Sequence, residues 1–115
     1  MKFKKMTFTL AFAGYLGITA LSSTAFSADS KNGKKVFEQN CASCHGVTGK
    51  GDGAAAAALN PKPANFAKGV FKYGSKDADL EKTIKNGKGV MPKWGGVIPD
   101  KNIKDVVSYI RTLKK

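Results

Sequence analysis

The stretch Cys41-Ala42-Ser43-Cys44-His45 gathers both cysteines and the single histidine of this 115-residue chain into one pentad. Two thiols three residues apart lie on one helical turn, where each can add to a vinyl group of a haem. The adjacent imidazole then reaches the iron, and C-x-x-C-H is the attachment pattern that this chemistry produces. Two other readings of paired cysteines compete with it. A Cys41–Cys44 disulfide with thioredoxin-like redox chemistry needs a βαβ setting, which this glycine- and lysine-rich sequence does not offer. A structural zinc ion takes four nitrogen or sulfur ligands, and no cysteine or histidine is left once Cys41, Cys44 and His45 are used. The expected cofactor is haem c, one per chain, covalently bound through Cys41 and Cys44, with His45 as an axial ligand of its iron.

A haem iron held by one histidine has a sixth position, and what fills it sets the function. Apart from Met1 and Met6 the chain has one methionine, Met91, in Gly89-Val90-Met91-Pro92-Lys93-Trp94. Pro92 fixes its own φ, lacks an N–H and pushes Met91 into an extended conformation, so a stiff loop rather than a helix is expected there. A thioether on such a loop suits an axial ligand, whereas a methionine filling a core gap is at home on an apolar helix face. His45 and Met91 are the expected iron ligands.

The N-terminal part reads as a leader. Lys2, Lys4 and Lys5 are followed by an apolar run over residues 8–21 and by small residues up to Ala28, the plan of a secretory signal peptide. Cleavage is expected after Ser27, with Ala25 and Ala28 as alternative sites, giving a signal peptide over 1–27 and one domain over 28–115. The competing reading is an uncleaved anchor, because residues 6–28 carry no charge and could span a bilayer; seven Ser and Thr in that window argue against it. A periplasmic location, with no stable membrane span after cleavage, follows.

The whole chain has 20 basic and 8 acidic residues, a formal net charge of +12. Without residues 1–27, which hold three lysines and no acid, 88 residues carry +9. The lysines are dispersed from Lys31 to Lys115 rather than blocked, and an exported chain rarely meets nucleic acid, so acidic protein surfaces are the expected partners. A lysine-rich face that only keeps a small protein soluble is the plainer alternative.

Hydrophobic spacing predicts helices and no convincing strand. The first runs over about 30–44, capped by Asp29 or Ser30, with Val36, Phe37 and Cys41 on one face. Gly33 within it marks either a close helix contact or a tolerated surface glycine. Residues 46–53 form a flexible glycine-rich loop matching no nucleotide-binding pattern. A helical turn over 54–59 ends at Asn60-Pro61-Lys62-Pro63, and a helix from Ser75 or Asp77, with Leu80 and Ile84 on one face, stops at Gly87. Asp100 is the expected cap of a last helix whose stripe is Ile103, Val106, Val107, Ile110 and Leu113.

The assembly resembles the small class I c-type cytochromes over essentially all of 28–115. The resemblance rests on Gly33 and Phe37, on the pentad followed by Gly46, on Gly49-Lys50-Gly51-Asp52-Gly53 and on Pro61-Lys62-Pro63-Ala64-Asn65-Phe66. It extends to Ile84-Lys85-Asn86-Gly87, Met91-Pro92-Lys93-Trp94 and Val107-Ser108-Tyr109-Ile110. It implies an all-α cytochrome c fold, three main helices and short turns around one covalent haem. It further implies that Gly33 and Phe37 pack against Tyr109, that a carbonyl from Pro61 or Pro63 accepts the His45 Nδ1 proton, and that Trp94 or Asn65 touches a propionate. The function expected is that of a soluble monomeric one-electron carrier, not an enzyme. Lys50, Lys62 and Lys93 are the first candidates for docking lysines near the haem edge. The alternatives are a haem-bearing subunit docked on a dehydrogenase or oxidase, and a peroxidase-like or gas-binding protein, for which no distal histidine exists.

Overall fold

The computed structural model describes residues 9–21 and 27–115; the basic Lys2, Lys4 and Lys5 and the small residues of 22–26 lie outside the described residues. Residues 9–21 form no helix or strand, and their large apolar side chains are exposed, Tyr15 fully and Leu10 by 80%. No described helix is long and apolar enough to cross a membrane.

Four α-helices and two 3₁₀ turns make up the rest, and among the described residues β structure is limited to two isolated bridges. Helix α1 spans Ser30–Asn40 and α2 spans Ala42–His45; 3₁₀ turns follow at Ala56–Ala58 and Phe66–Lys68; α3 is Asp77–Asn86 and α4 is Asp100–Thr112. The expected single helix over 30–44 is thus broken at Cys41, whose ψ is near the helical value but whose φ has opened to −117°. Just before the break, Asn40 turns its Nδ2 back to the Val36 carbonyl at 2.9 Å, offering the backbone a side-chain partner where the helix ends. Asp29 is the cap of α1, its Oδ1 accepting from the N–H groups of Lys31 at 2.9 Å and Asn32 at 3.2 Å. At α4 the cap is Pro99, in an extended conformation, and not Asp100. Asp100 occupies the first turn, where its charge suits the helix dipole, and meets the Lys85 ammonium at 3.4 Å.

The most extensive contact in the fold is that of α1 with α4. Gly33 is buried there, and a Cβ on it would collide with the Asp105 carbonyl and lie 3.0 Å from Tyr109 Cβ. The close-contact reading of Gly33 therefore holds. One turn on, Phe37 is fully buried and meets the Tyr109 ring edge-on at 5.3 Å. Val36, Ile103, Val106, Val107, Ile110 and Leu113 complete this side of the core, and Leu80 and Ile84 of α3 close it from another. Each such side chain contributes about 1.5–3 kcal/mol of burial.

Asp105, set between the stripe residues Ile103 and Val106 and next to Lys104, is only 1% exposed. Its Oδ1 accepts the Asp29 N–H at 2.8 Å, and its Oδ2 accepts Asn32 Nδ2 at 2.7 Å and the Lys101 ammonium at 2.8 Å. Burial alone would raise its pKa, but the donors from Lys101, Asp29 and Asn32 outweigh it and hold the carboxyl below its usual range. A carboxyl depressed in the fold gives stability that is complete above the unfolded pKa and is lost as pH falls through the folded one. Asp105→Asn should accordingly destabilise the protein by about 2–4 kcal/mol at pH 7. Denaturant melts of the two proteins should converge as pH drops through the acidic range.

Candidate functional site

The two helices that cross at Gly33 deliver Cys41 and the short α2 to the edge of an apolar cleft of about 400 Å³. Cys41, Cys44, His45 and Met91 all line it, so four residues separated by up to 50 positions in sequence share one cavity. Phe37, Val106 and Ile110 from the α1–α4 pair and Leu80 and Ile84 from α3 also line it. A flat, largely apolar macrocycle with sulfur attachment at one edge fits such a cleft, which offers thiols at its rim and an imidazole and a thioether in its lining.

The glycine-rich segment after α2 is pinned rather than loose. The N–H groups of Gly46, Ala55, Gly53 and Gly51 donate to the carbonyls of Ala42, Ser43, Cys44 and His45 at 2.8, 2.9, 3.1 and 2.7 Å, satisfying the end of the helix that presents the pentad. His45 is oriented from two sides. Its ring stacks on Phe66 with centroids 4.6 Å apart and 18° between planes, and its Nδ1 lies 3.2 Å from the Ala64 carbonyl. Nδ1–H donating to that carbonyl leaves Nε2 as the ring atom with a free lone pair.

The acceptor is therefore Ala64, and neither Pro61 nor Pro63. The backbone passes close over Gly51, where a Cβ would stand 2.6 Å from the Pro63 carbonyl oxygen and 3.3 Å from that of Ala64, and it is the Ala64 carbonyl that reaches the imidazole. Burial lowers the His45 pKa, against the opposing pull of the Ala64 bond, which keeps the ring neutral as a metal ligand requires. Burial, followed by the neighbouring Cys44, pushes the Cys41 thiol up to about 11. A catalytic redox cysteine has a lowered pKa, so this environment opposes thiol redox chemistry.

Met91 sits in a tight turn closed by two backbone bonds with Lys88, at 3.1 and 2.9 Å. Trp94 lines the cleft and packs on the core, whereas Asn65 is not a lining residue: its Oδ1 accepts the Lys68 N–H at 3.1 Å and caps the second 3₁₀ turn. Of the three lysines expected near the haem edge, only Lys62 lines the cleft, and its ammonium donates to the carbonyls of Ala56 and Ala57 at 3.2 and 3.3 Å. Lys72 and Lys88 line it as well, with the Lys88 ammonium 5.2 Å from the centre of the Tyr73 ring. Neither was among the expected docking lysines; their nearness to Tyr73 and Met91 was the available signal.

A short helical fold around one apolar cleft, with C-x-x-C-H at its rim, defines a c-type cytochrome domain. A sequence profile described as cytochrome c oxidase, cbb3-type, subunit III matches residues 28–110, and the chain belongs to this family of class I c-type cytochromes. Its cofactor is covalently bound haem c. The chain is 40% identical over 84 residues to the cbb3-type cytochrome c oxidase subunit FixP of Azorhizobium caulinodans, a match covering 72% of this chain and 27% of that one. The chain thus spans about a quarter of the length of that relative. It is 37% identical over 108 residues to cytochrome c6 of a Nostoc species, covering 92% of this chain and 91% of the other. Among solved structures, one chain of a reducing HAO-like protein complex of Kuenenia stuttgartiensis superposes with a TM-score of 0.69 and 29% identity, over 75% of this chain and 44% of that one. Cytochrome c6 from the diatom Phaeodactylum tricornutum shares the fold, with a TM-score of 0.60 and 24% identity, over 74% of this chain and 93% of that one.

Phe66, 8% exposed, also meets Phe37 and Phe71 at 6.4 and 5.9 Å, so it joins the His45 ring to the core. Phe66→Ala should cost about 3–5 kcal/mol, measured by guanidinium denaturation of the holoprotein.

Proposed function

We propose that this chain is a soluble one-electron carrier, with haem c bound through thioethers to Cys41 and Cys44 and with His45 and Met91 as the axial ligands of its iron. The observation that carries the reading is that His45 and Met91 line the same apolar cleft as the two cysteines. The bound haem supplies Fe(III)/Fe(II) cycling. The chain's own residues hold, orient and shield: His45 is kept neutral and its free nitrogen fixed by Ala64 and Phe66, Met91 is offered from a closed turn, and the apolar lining excludes water. With His45 and Met91 holding the iron, no position on it would be open to a substrate, which supports a carrier rather than an enzyme.

Residues 1–27 act as a cleaved export signal and the domain over 28–115 works as a monomer in the periplasm. Support comes from the order of basic, apolar and small residues, and from the exposed apolar side chains of 9–21, which take no part in the core. The similarity to FixP supports a second reading, a haem domain that serves a larger oxidase assembly. The nearly full mutual coverage with a cytochrome c6 favours the free carrier.

Reduced holoprotein held under carbon monoxide at neutral pH is expected to keep its spectrum, because the sixth position is occupied. Rapid formation of a carbonyl adduct would overturn the carrier reading in favour of a gas-binding or peroxidase-like protein.

The partner surface is proposed to be acidic. The domain is strongly basic, and Lys72 and Lys88 are exposed at the cleft where electrons would pass. The second-order rate of electron transfer should fall steeply as salt rises, since the screening length shrinks to about 10 Å at 0.1 M. Lys72→Glu and Lys88→Glu should each slow association in stopped-flow measurements at low salt. A rate that stays flat or rises with salt contradicts an acidic docking surface.

A further inference from the structure

Met91 belongs to a loop that burial holds only in part, through Met91 and Trp94 where they pack against the core. Gly89, Val90, Pro92 and Lys93 are exposed and Met91 itself is only partly buried, so the position of its thioether depends on how the backbone is fastened. The fastening is at the C-terminus of α3. There the Gly87 N–H donates to Thr83 O at 2.9 Å, and the next two carbonyls, Ile84 and Lys85, are taken by the N–H groups of Trp94 and Gly95 at 3.1 and 3.0 Å. Helix ends leave such carbonyls without intrahelical partners. In this chain the segment just past Met91 returns to fill them, so the loop leaves α3 at Gly87 and is tied back to it at Gly95.

Both ends are glycine for a spatial reason. Gly87 has φ +70° and ψ 170°, a region essentially confined to glycine, and a Cβ there would lie 2.7 Å from the Met91 carbonyl. Gly95 needs no unusual φ, yet a Cβ on it would lie 2.8 Å from the Lys85 carbonyl oxygen. That atom belongs to the helix backbone and cannot swing aside as a side-chain end would. A methyl group at position 95 therefore lifts the loop off the helix without requiring a positive φ.

We infer that Gly95, with Gly87, is a positioning residue for the sixth ligand, its close seat on the Lys85 carbonyl setting where the Met91 sulfur stands. The inference rests on the reading of Met91 as the axial ligand.

The test uses the holoprotein and Gly95→Ala, with Met91→Ala and the exposed-site control Val97→Ala in parallel. Gly95→Ala should keep its covalent haem and its helical circular dichroism but lose the red-edge charge-transfer band of methionine sulfur on ferric haem, and its ferrous form should bind carbon monoxide. Val97→Ala should match the wild type. A Gly95→Ala protein with the band intact and no carbon monoxide binding overturns the inference, provided Met91→Ala loses the band. A wild type without the band, or Met91→Ala retaining it, overturns the ligand reading itself. Should Gly95→Ala fail to fold, native-state amide exchange of the wild type decides. The Trp94 and Gly95 amides should open in the same denaturant-dependent step that removes the band, and exchange that is fast while the band persists contradicts the clamp.

Discussion

The approach of α1 to α4 at Gly33 is the constraint from which the rest of the molecule is built. With no Cβ at that position, the Asp105 backbone enters the space a side chain would fill, and the two helices cross closely enough for Phe37 and Tyr109 to meet. The buried Asp105 carboxylate then takes the amide of Asp29 and the side chain of Asn32, fixing the start of α1 against α4. With its start and middle fixed, the end of α1 can deliver Cys41 in only one place. The cleft is what remains between that crossing and α3.

A chain of this size buries a limited core, and much of what it does bury surrounds the cleft rather than filling a solid interior. The cofactor of this family is thus as much a part of the interior as any side chain. The same economy explains the loops. Carbonyls at the end of α2 are answered by the glycine-rich segment, and those at the end of α3 by Trp94 and Gly95, so that each loop bearing on the site is tied to the helix it follows.

What could be read from the sequence was whatever a side chain announces by its type and spacing. The pentad, the proline beside Met91, the glycine at Gly33 with Phe37 one turn on, and the stripe from Ile103 to Leu113 each carry their reason in local chemistry. What could not be read was decided by backbone direction and by competition among neighbours. The acceptor for His45 is a carbonyl, and carbonyls are alike in every residue, so only the path of the backbone past Gly51 assigns it to Ala64. The break at Cys41 follows the back-bonding of Asn40, and Pro99 rather than Asp100 caps α4 because its extended conformation places it outside the helix. Asp105 was hidden because an acid beside an apolar stripe reads as solvent-facing unless its partners Asp29 and Asn32, which lie more than 70 residues away, are known.

Everything in this picture turns on the two thiols at the rim of the cleft holding the cofactor by covalent bonds. Denaturing the holoprotein, digesting it and weighing the peptides tests this most directly. One peptide containing Cys41-Ala42-Ser43-Cys44-His45 is expected, with the mass of a single haem added and both sulfurs consumed. A peptide with two free thiols, or with a Cys41–Cys44 disulfide and no added haem, would contradict it.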